Sequence, residues 1–310
     1  MSSAALRFRL GSARRRLVGW KPYPDTVRPA CALCGSDDPS TVGRRVAFDM
    51  RYRNVLCRSC GLVYLCPRPD AQAFADFYDR LYPRLYGKAR QDEVGSDRGA
   101  AVATFVARSL DLSKHVGLFD VGCGGGGLLR AVADAPGFAS FRLGGCDPGW
   151  QGEEHAIIAA GSARIEIFRA GVEDLADLLG SYSLFVLYDV IEHLLAPQEF
   201  LSALHERTAP GSVLFVSTNA LDNWAAIPPG GWERYYLRLA HTYTFTKRTL
   251  SALLVGHGWR PIVTEDAPKG DQWVLAERAD PDAGALEPAP EHHREVLAMI
   301  EAYRGRTAGT

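Results

Sequence analysis

Between Leu118 and Gly127 the chain reads Leu-Phe-Asp-Val-Gly-Cys-Gly-Gly-Gly-Gly, an apolar run that passes straight into glycines and then into a helical pattern over residues 128–133. No other stretch restricts the fold as much. A short buried strand that turns on glycine into a helix opens an α/β sheet, and glycine there lets the main chain take positive φ and lie close to a ligand. In such sheets the ligand crevice is at the carboxyl ends of the strands.

The rest of the pattern agrees. Strand-like apolar runs fall at residues 116–121, 141–146, 164–168, 183–188 and 212–218, and helical stretches at 128–133, 153–160 and 197–207 alternate with them. This alternation predicts a parallel sheet covered on both faces. A helix over 249–257 is followed by two strands, 259–263 and 272–276, with no helix between them, so one of the two has to run antiparallel. Ahead of the sheet, Ala73, Phe74, Phe77, Tyr78 and Leu81 share one face of a helix that Asp70 caps, and a second helix is expected over about 99–110. Behind it, 278–290 read as a linker and 291–303 as a terminal helix.

Composition bounds the partners. The 310 residues are 47% hydrophobic and 23% charged, as in a globular protein with one large core and a small accessory unit. A net charge of −1 gives no overall field to recruit nucleic acid. No apolar run is long enough to cross a bilayer and no secretory leader is expected, which points to the cytoplasm. The basic start, Arg7, Arg9, Arg14, Arg15 and Arg16, reads as a solvated, flexible tail over residues 1–29, with a phosphate-contacting arm and an organelle presequence as the alternatives.

There are seven cysteines, an odd number that argues against a disulfide framework. Cys31-x-x-Cys34-Gly35 and Cys57-x-x-Cys60-Gly61 have the spacing of two zinc knuckles. Residues 30–69 are therefore expected to be a zinc ribbon, its Zn²⁺ closed by four thiolates and structural. Cys66, Cys123 and Cys146 read as small buried residues.

On the loop alone three readings of Gly122, Gly124 and Gly127 stay open: a dinucleotide site with the G-x-G-x-x-G spacing, a site for S-adenosylmethionine (SAM), and a structural turn. Asp147, at the end of the second strand, suits either cofactor, since both have a ribose diol. The ordered blocks LFDVGCGGG, GGCDPG, AGVEDL, LFVLYDVIEHL and APGSVLFVSTN resemble the class I SAM-dependent methyltransferases. The resemblance implies a seven-stranded, mostly parallel Rossmann-like sheet with a reversed last strand over residues 113–277. It implies that Asp120, Gly122, Cys123, Gly124 and Gly126 form the loop beside the methionine part of SAM. By the same resemblance Asp147 accepts hydrogen bonds from the ribose hydroxyls, Pro148 belongs to the cofactor site, Val172 and Glu173 lie beside adenine, and Tyr188 and Asp189 border the methionine end. The family often has an acidic residue where Gly171 stands. The front, through Cys60-Gly-Leu-Val-Tyr-Leu-Cys-Pro-Arg-Pro69, is similar to bacterial sugar and natural-product methyltransferases.

Asp189, Glu192 and His193 follow the fourth strand, and His241 follows the fifth. Three roles stay open for them: a second divalent metal site, a general base or acceptor-positioning group, and structure. The metal reading is similar to ubiquinone-biosynthesis and small-RNA O-methyltransferases. Phe77, Tyr78, Tyr82 and Tyr86, in the connector over residues 70–112, read as an acceptor lid or as helix packing. Trp224, Trp232, Tyr235 and Tyr236 read as an acceptor pocket or as core. The expected activity is methyl transfer from SAM to a small-molecule acceptor, a sugar, polysaccharide precursor or other natural product. An RNA or quinone O-methyltransferase, an NAD-dependent oxidoreductase and a non-catalytic binding module are the alternatives. Acceptor atom and oligomeric state are left open.

Overall fold

The computed structural model describes residues 26–47, 50–81, 88–150, 152–161, 163–171, 174, 176–227 and 236–307. The N-terminal arginines, Tyr82, Tyr86, Val172, Glu173, Trp232 and Tyr235 lie outside the described residues.

The front of the chain forms β1 (Thr26–Val27), β2 (Pro39–Ala47), β3 (Met50–Cys57), β4 (Val63–Leu65) and β5 (Arg68–Pro69). Helix α1 (Ala71–Asp76) follows; the Asp70 carboxylate accepts from the Ala73 amide at 2.8 Å, as its capping position predicts. A π-helical turn, Phe77–Leu81, continues it, and α2 spans Lys88–Ser109, longer than its periodicity suggested.

The large sheet contains β6 (Gly117–Val121), β7 (Arg142–Cys146), β8 (His155–Ala160), β9 (Ala163–Phe168), β10 (Leu184–Tyr188), β11 (Val213–Asn219), β13 (Trp259–Ala267) and β14 (Asp271–Arg278). Its order is β13-β14-β11-β10-β6-β7-β9-β8. Strands β11, β10, β6, β7 and β9 are mutually parallel, and β14 runs against them, antiparallel to both neighbours. Strand β10 lies at the centre with Leu184 to Leu187 buried, which explains why its sequence is apolar throughout instead of alternating. Helices α3 (Gly127–Ala133), α4 (Pro197–Arg207) and α5 (Lys247–Gly256) come from this part of the chain. Pro197 sits in the first turn of α4, and Thr246 and Thr249 form a reciprocal cap on α5.

One expectation fails. Residues 153–160 do not make a helix: His155–Ala160 is strand β8, the edge of a sheet of eight strands. It pairs antiparallel with β9 through a reversal at Gly161, whose φ is 57°. Alanine favours helix, but half-exposed residues alternating along an edge strand satisfy their backbone in the ladder instead.

A second sheet, β12-β4-β3-β2, joins the cysteine-rich front to the body, because β12 (Tyr243–Thr244) comes from far along the chain. The terminal helix α6 (Pro290–Thr307) closes the same region: Val296, Ile300 and Tyr303 are buried against Val42, Leu56, Val63, Leu221, Tyr236 and Leu237. No described helix is long and apolar enough to cross a membrane.

Candidate active site

The glycine loop begins where β6 ends. The amides of Gly122 and Cys123 donate to the carbonyl of Cys146 at 2.8 and 3.1 Å, tying the loop to the end of β7. Gly126 has φ 76°, and a Cβ there would come within 2.8 Å of Ile167 Cδ1, so packing as well as dihedral requires glycine. Gly124 differs. Its φ is 53°, and a Cβ would meet no atom within 4 Å, so its backbone borders open space at the carboxyl edge of the sheet. That is where a ligand would lie.

Asp147 stands beside this space. Its Oδ2 accepts from the Gly124 amide at 2.9 Å and its Oδ1 from the Gly149 amide at 2.7 Å. Pro148, between them, is exposed. Each carboxylate oxygen retains a lone pair, as a ribose diol would need. Asp120 is buried on β6, and burial with the Asp147 carboxylate nearby pushes its carboxyl well above the ordinary range. Burial also holds Cys123 as a thiol and raises Asp147. Asp147 itself is half-buried, and a positive charge placed beside these two neighbouring carboxyls would offset both.

On the other side of the opening, Tyr188 ends β10 and Asp189 follows at φ 55°, a strained value for a non-glycine residue. Its amide donates to Ser217 O at 3.0 Å, and its Oδ2 pairs with Arg98 Nη1 at 3.0 Å. The Arg98 guanidinium also lies 4.7 Å from the centre of the Tyr188 ring. Arg98, on α2, has no sequence signal that marks it; only the packing of α2 across the sheet end brings it here.

A 3₁₀ turn, Ile191–His193, carries the next two candidates. Glu192, His193 and His241 offer ligand atoms that all lie within 4.8 Å of one another; Asp189 is not in that group. Glu192 is buried, its Oε2 has no hydrogen-bond partner among the described residues, and burial raises its carboxyl well above the ordinary range, with the Asp189 charge adding to the effect. Among the described residues, buried His241 likewise has an unpartnered Nδ1. The two imidazoles meet edge to face, with centroids 4.8 Å apart. His193 Nδ1 is 2.8 Å from Ala240 O and 2.9 Å from Tyr78 Oη. A carbonyl can only accept, so Nδ1 carries the proton and Nε2 the lone pair. Burial lowers His193 to about 4 and His241 well below the usual imidazole range, so both are neutral near pH 7.

Of the aromatic candidates, Tyr78 reaches the site through the π-helical turn. Phe77 is core, Trp224 packs on Tyr303, and Tyr236 is fully buried with its hydroxyl donating to Ala220 O at 2.9 Å. The acceptor-pocket alternative therefore gives way to packing for Trp224 and Tyr236.

The four ribbon cysteines converge. Cys31 Sγ is 3.5 Å from Cys60 Sγ, and Cys34 Sγ is 3.6 Å from Cys57 Sγ. Zn–S bonds of about 2.3 Å in a tetrahedron place sulfurs about 3.8 Å apart, so this donor set suits zinc after a small adjustment. Each knuckle closes as its spacing predicts, with the amides of Gly35 and Gly61 donating to Cys31 O and Cys57 O at 2.9 and 3.0 Å.

The sequence profile of the Methyltransferase domain family matches residues 76–264. No curated protein matches the chain by sequence. Among solved structures, human N-acetylserotonin methyltransferase in complex with SAM is similar at TM-score 0.53 and 20% identity, over 68% of this chain and 60% of that one. Mitomycin 7-O-methyltransferase MmcR is similar at TM-score 0.50 and 18% identity, over 66% of this chain and 60% of that one. This chain thus matches about three fifths of the length of each, and at these identities the likeness is one of fold. The profile spans more than half of the residues, including the whole glycine loop and the Asp189–His193 segment, and the chain belongs to the methyltransferase-domain family.

Proposed function

We propose that this methyltransferase moves the methyl group of SAM to a small-molecule acceptor of the sugar, polysaccharide-precursor or natural-product kind. The observation that carries the reading is the open face of Gly124 beside Asp147 at the carboxyl ends of β6 and β7. The small-molecule methyltransferases of like fold support it.

SAM brings a methyl carbon already activated by positive sulfur, so the chain needs no covalent intermediate of its own. Asp147 would accept from the ribose hydroxyls. Asp120 and Asp147 would face the ligand's positive groups, and Arg98 stands ready for a carboxylate at the methionine end. The acceptor would approach from the side of Tyr78, His193 and His241. There His193 Nε2, fixed as the lone-pair nitrogen, accepts a hydrogen bond from the attacking group and holds it in line. Its depressed basicity makes it a better positioning group than proton store.

Cocrystallisation with S-adenosylhomocysteine (SAH) tests this. Density should cross Gly124 between Asp147 and Tyr188. A dinucleotide pyrophosphate preferred on that loop, or a crevice that admits no nucleoside, would contradict it.

A second reading, favoured by the unpartnered Glu192 Oε2 and His241 Nδ1, is a divalent metal held by Glu192, His193 and His241. Such an ion would polarise an acceptor hydroxyl. Mn²⁺ titration followed by electron paramagnetic resonance should then find a site that Glu192→Gln weakens; identical titrations of wild type and variant would exclude it. For the ribbon we propose one structural Zn²⁺ on Cys31, Cys34, Cys57 and Cys60.

A further inference from the structure

The large sheet has two edges, and they are finished differently. Strand β13, at one edge, carries Arg260, Pro261, Glu265 and Asp266, and its register with β14 shifts between Pro261 and Val263. Proline, charge and a bulge are devices that keep an edge from pairing with another chain. Strand β8, at the other edge, reads His-Ala-Ile-Ile-Ala-Ala. It has no proline and no Asp, Glu, Lys or Arg, and its register with β9 runs unbroken from His155 opposite Phe168 to Ala160 opposite Ala163.

The ladder identifies the backbone groups left over. Just ahead of β8, the Arg169 amide donates to Glu154 O at 2.8 Å, so these two residues are a hydrogen-bonded pair. Bonded and non-bonded pairs alternate along an antiparallel ladder. Ala156, Ile158 and Ala160 therefore turn their N–H and C=O toward β9, while His155, Ile157 and Ala159 turn theirs outward. Among the described residues nothing bonds to these outward groups. The same three residues are the exposed ones of the strand, and Ile157, at the middle, is 52% exposed. An apolar, uncharged edge with free backbone groups is a template for one more strand.

The strand that fits is β8 of a second copy. A two-fold axis normal to the sheet at Ile157 sets Ile157 opposite its own counterpart and His155 opposite Ala159. Every outward N–H and C=O of the strand then finds a partner within the strand, and each side chain keeps its face. Shifting the axis to Ala156 or Ile158 leaves one of the three residues facing beyond the strand end. Charge agrees with this register. Glu153 and Arg164 are exposed and form no ion pair among the described residues. Arg164 lies opposite Ala159 on β9, so it stands one strand beyond the Ala159 that meets His155 of the other copy. Glu153 of that copy, just before His155, approaches it, and symmetry makes the contact twice.

We propose that β8 is a homodimer interface, pairing antiparallel with β8 of a second copy about a two-fold axis at Ile157 and joining the two large sheets. A short edge with two flanking charge pairs suits a dimer that dissociates in the micromolar range, not an obligate one. A two-fold contact is closed, so assembly stops at two chains.

Sedimentation equilibrium on the full chain across the micromolar range tests it. The wild type should follow a monomer–dimer equilibrium without larger species. Ile157→Lys sets like charges against each other at the axis and should weaken the dimer at least about tenfold, with the wild-type melting transition of the monomer retained. Glu153→Arg and Arg164→Glu should each weaken the dimer, and the two combined should restore it toward wild type. A wild type that stays monomeric at high micromolar concentration would overturn the proposal; that is also the result if another segment of this chain occupies the edge. A dimer that Ile157→Lys leaves unchanged, or association that continues past two chains, would overturn it as well. Should Ile157→Lys fail to fold, the charge exchange decides alone, and a double variant no tighter than either single one counts against the pairing.

Discussion

Two glycines a single turn apart make different demands. At Gly126 a methyl group would press on Ile167, whereas at Gly124 it would enter empty space over the sheet edge. Gly126→Ala should therefore cost about 2 kcal/mol in urea denaturation, strain and overpacking combined. Gly124→Ala should cost only about 1 kcal/mol yet weaken SAH more than tenfold, because its methyl occupies ligand space. Equal SAH affinity in wild type and Gly124→Ala would remove the ligand from that spot. Asp271 supplies a pH test. Burial, with Asp189 nearby, lifts its carboxyl to about 6. The folded protein then holds this proton more tightly than the unfolded chain, so the stability it contributes is complete below the ordinary carboxyl range and is lost as pH rises through about 6. Asp271→Asn should exceed the wild type by about 2–3 kcal/mol near pH 8, with the gap closing by about pH 4; a gap independent of pH would refute the assignment. The placement of the glycines and Asp147 at the ends of β6 and β7 was legible because it follows from chain order. Arg98 and the tautomer of His193 were not, since each depends on residues that only folding brings together.

The ribbon is tied to the histidine cluster by strand pairing. Strand β4, which begins three residues after Cys60, pairs with β12, which begins two residues after His241. Leu65 N donates to Thr242 O at 2.8 Å, and Thr242 in turn donates through N and Oγ1 to Glu192 O at 2.7 and 2.8 Å. The Tyr243 hydroxyl donates to Leu195 O at 3.0 Å. Removing zinc with a chelator, or Cys57→Ser, should lower the melting temperature and speed hydrogen exchange at the Thr242 amide. SAH affinity should hold, since β6 and β7 take no part in this pairing. Unchanged exchange at Thr242 would show that the ribbon is not a brace for the site. The clustering of the four cysteines could be read from spacing alone, but the pairing of β4 with β12 joins segments too distant for any local pattern to reveal. Strand β8 was misread for the opposite reason: its alanines carry a helical preference that edge pairing with β9 overrides.

Across the whole molecule, the terminal helix is what joins the parts. The sequence placed it correctly but gave it no task. Val296, Ile300 and Tyr303 line its buried face and seal the ribbon sheet against the segment around Leu221 and Tyr236. Tyr303, 1% exposed, should cost about 3–5 kcal/mol when changed to alanine, read as a shift in the urea midpoint; a shift typical of a surface residue would mean that the helix merely rests on the body. Most of the large sheet was legible because buried parallel strands are apolar along their whole length. The second sheet was not, because the pairing that joins it to the body, β4 with β12, is long-range. The proposed cofactor crevice is the central claim, and calorimetric titration of SAH into the wild type and Asp147→Ala tests it most directly. Micromolar binding to the wild type, weakened at least tenfold in the variant, is the predicted result, since the variant loses the carboxylate that the Gly124 amide pairs with and that, on the proposed reading, the ribose hydroxyls would meet. Equal affinity in the two proteins, or binding by neither, would contradict it.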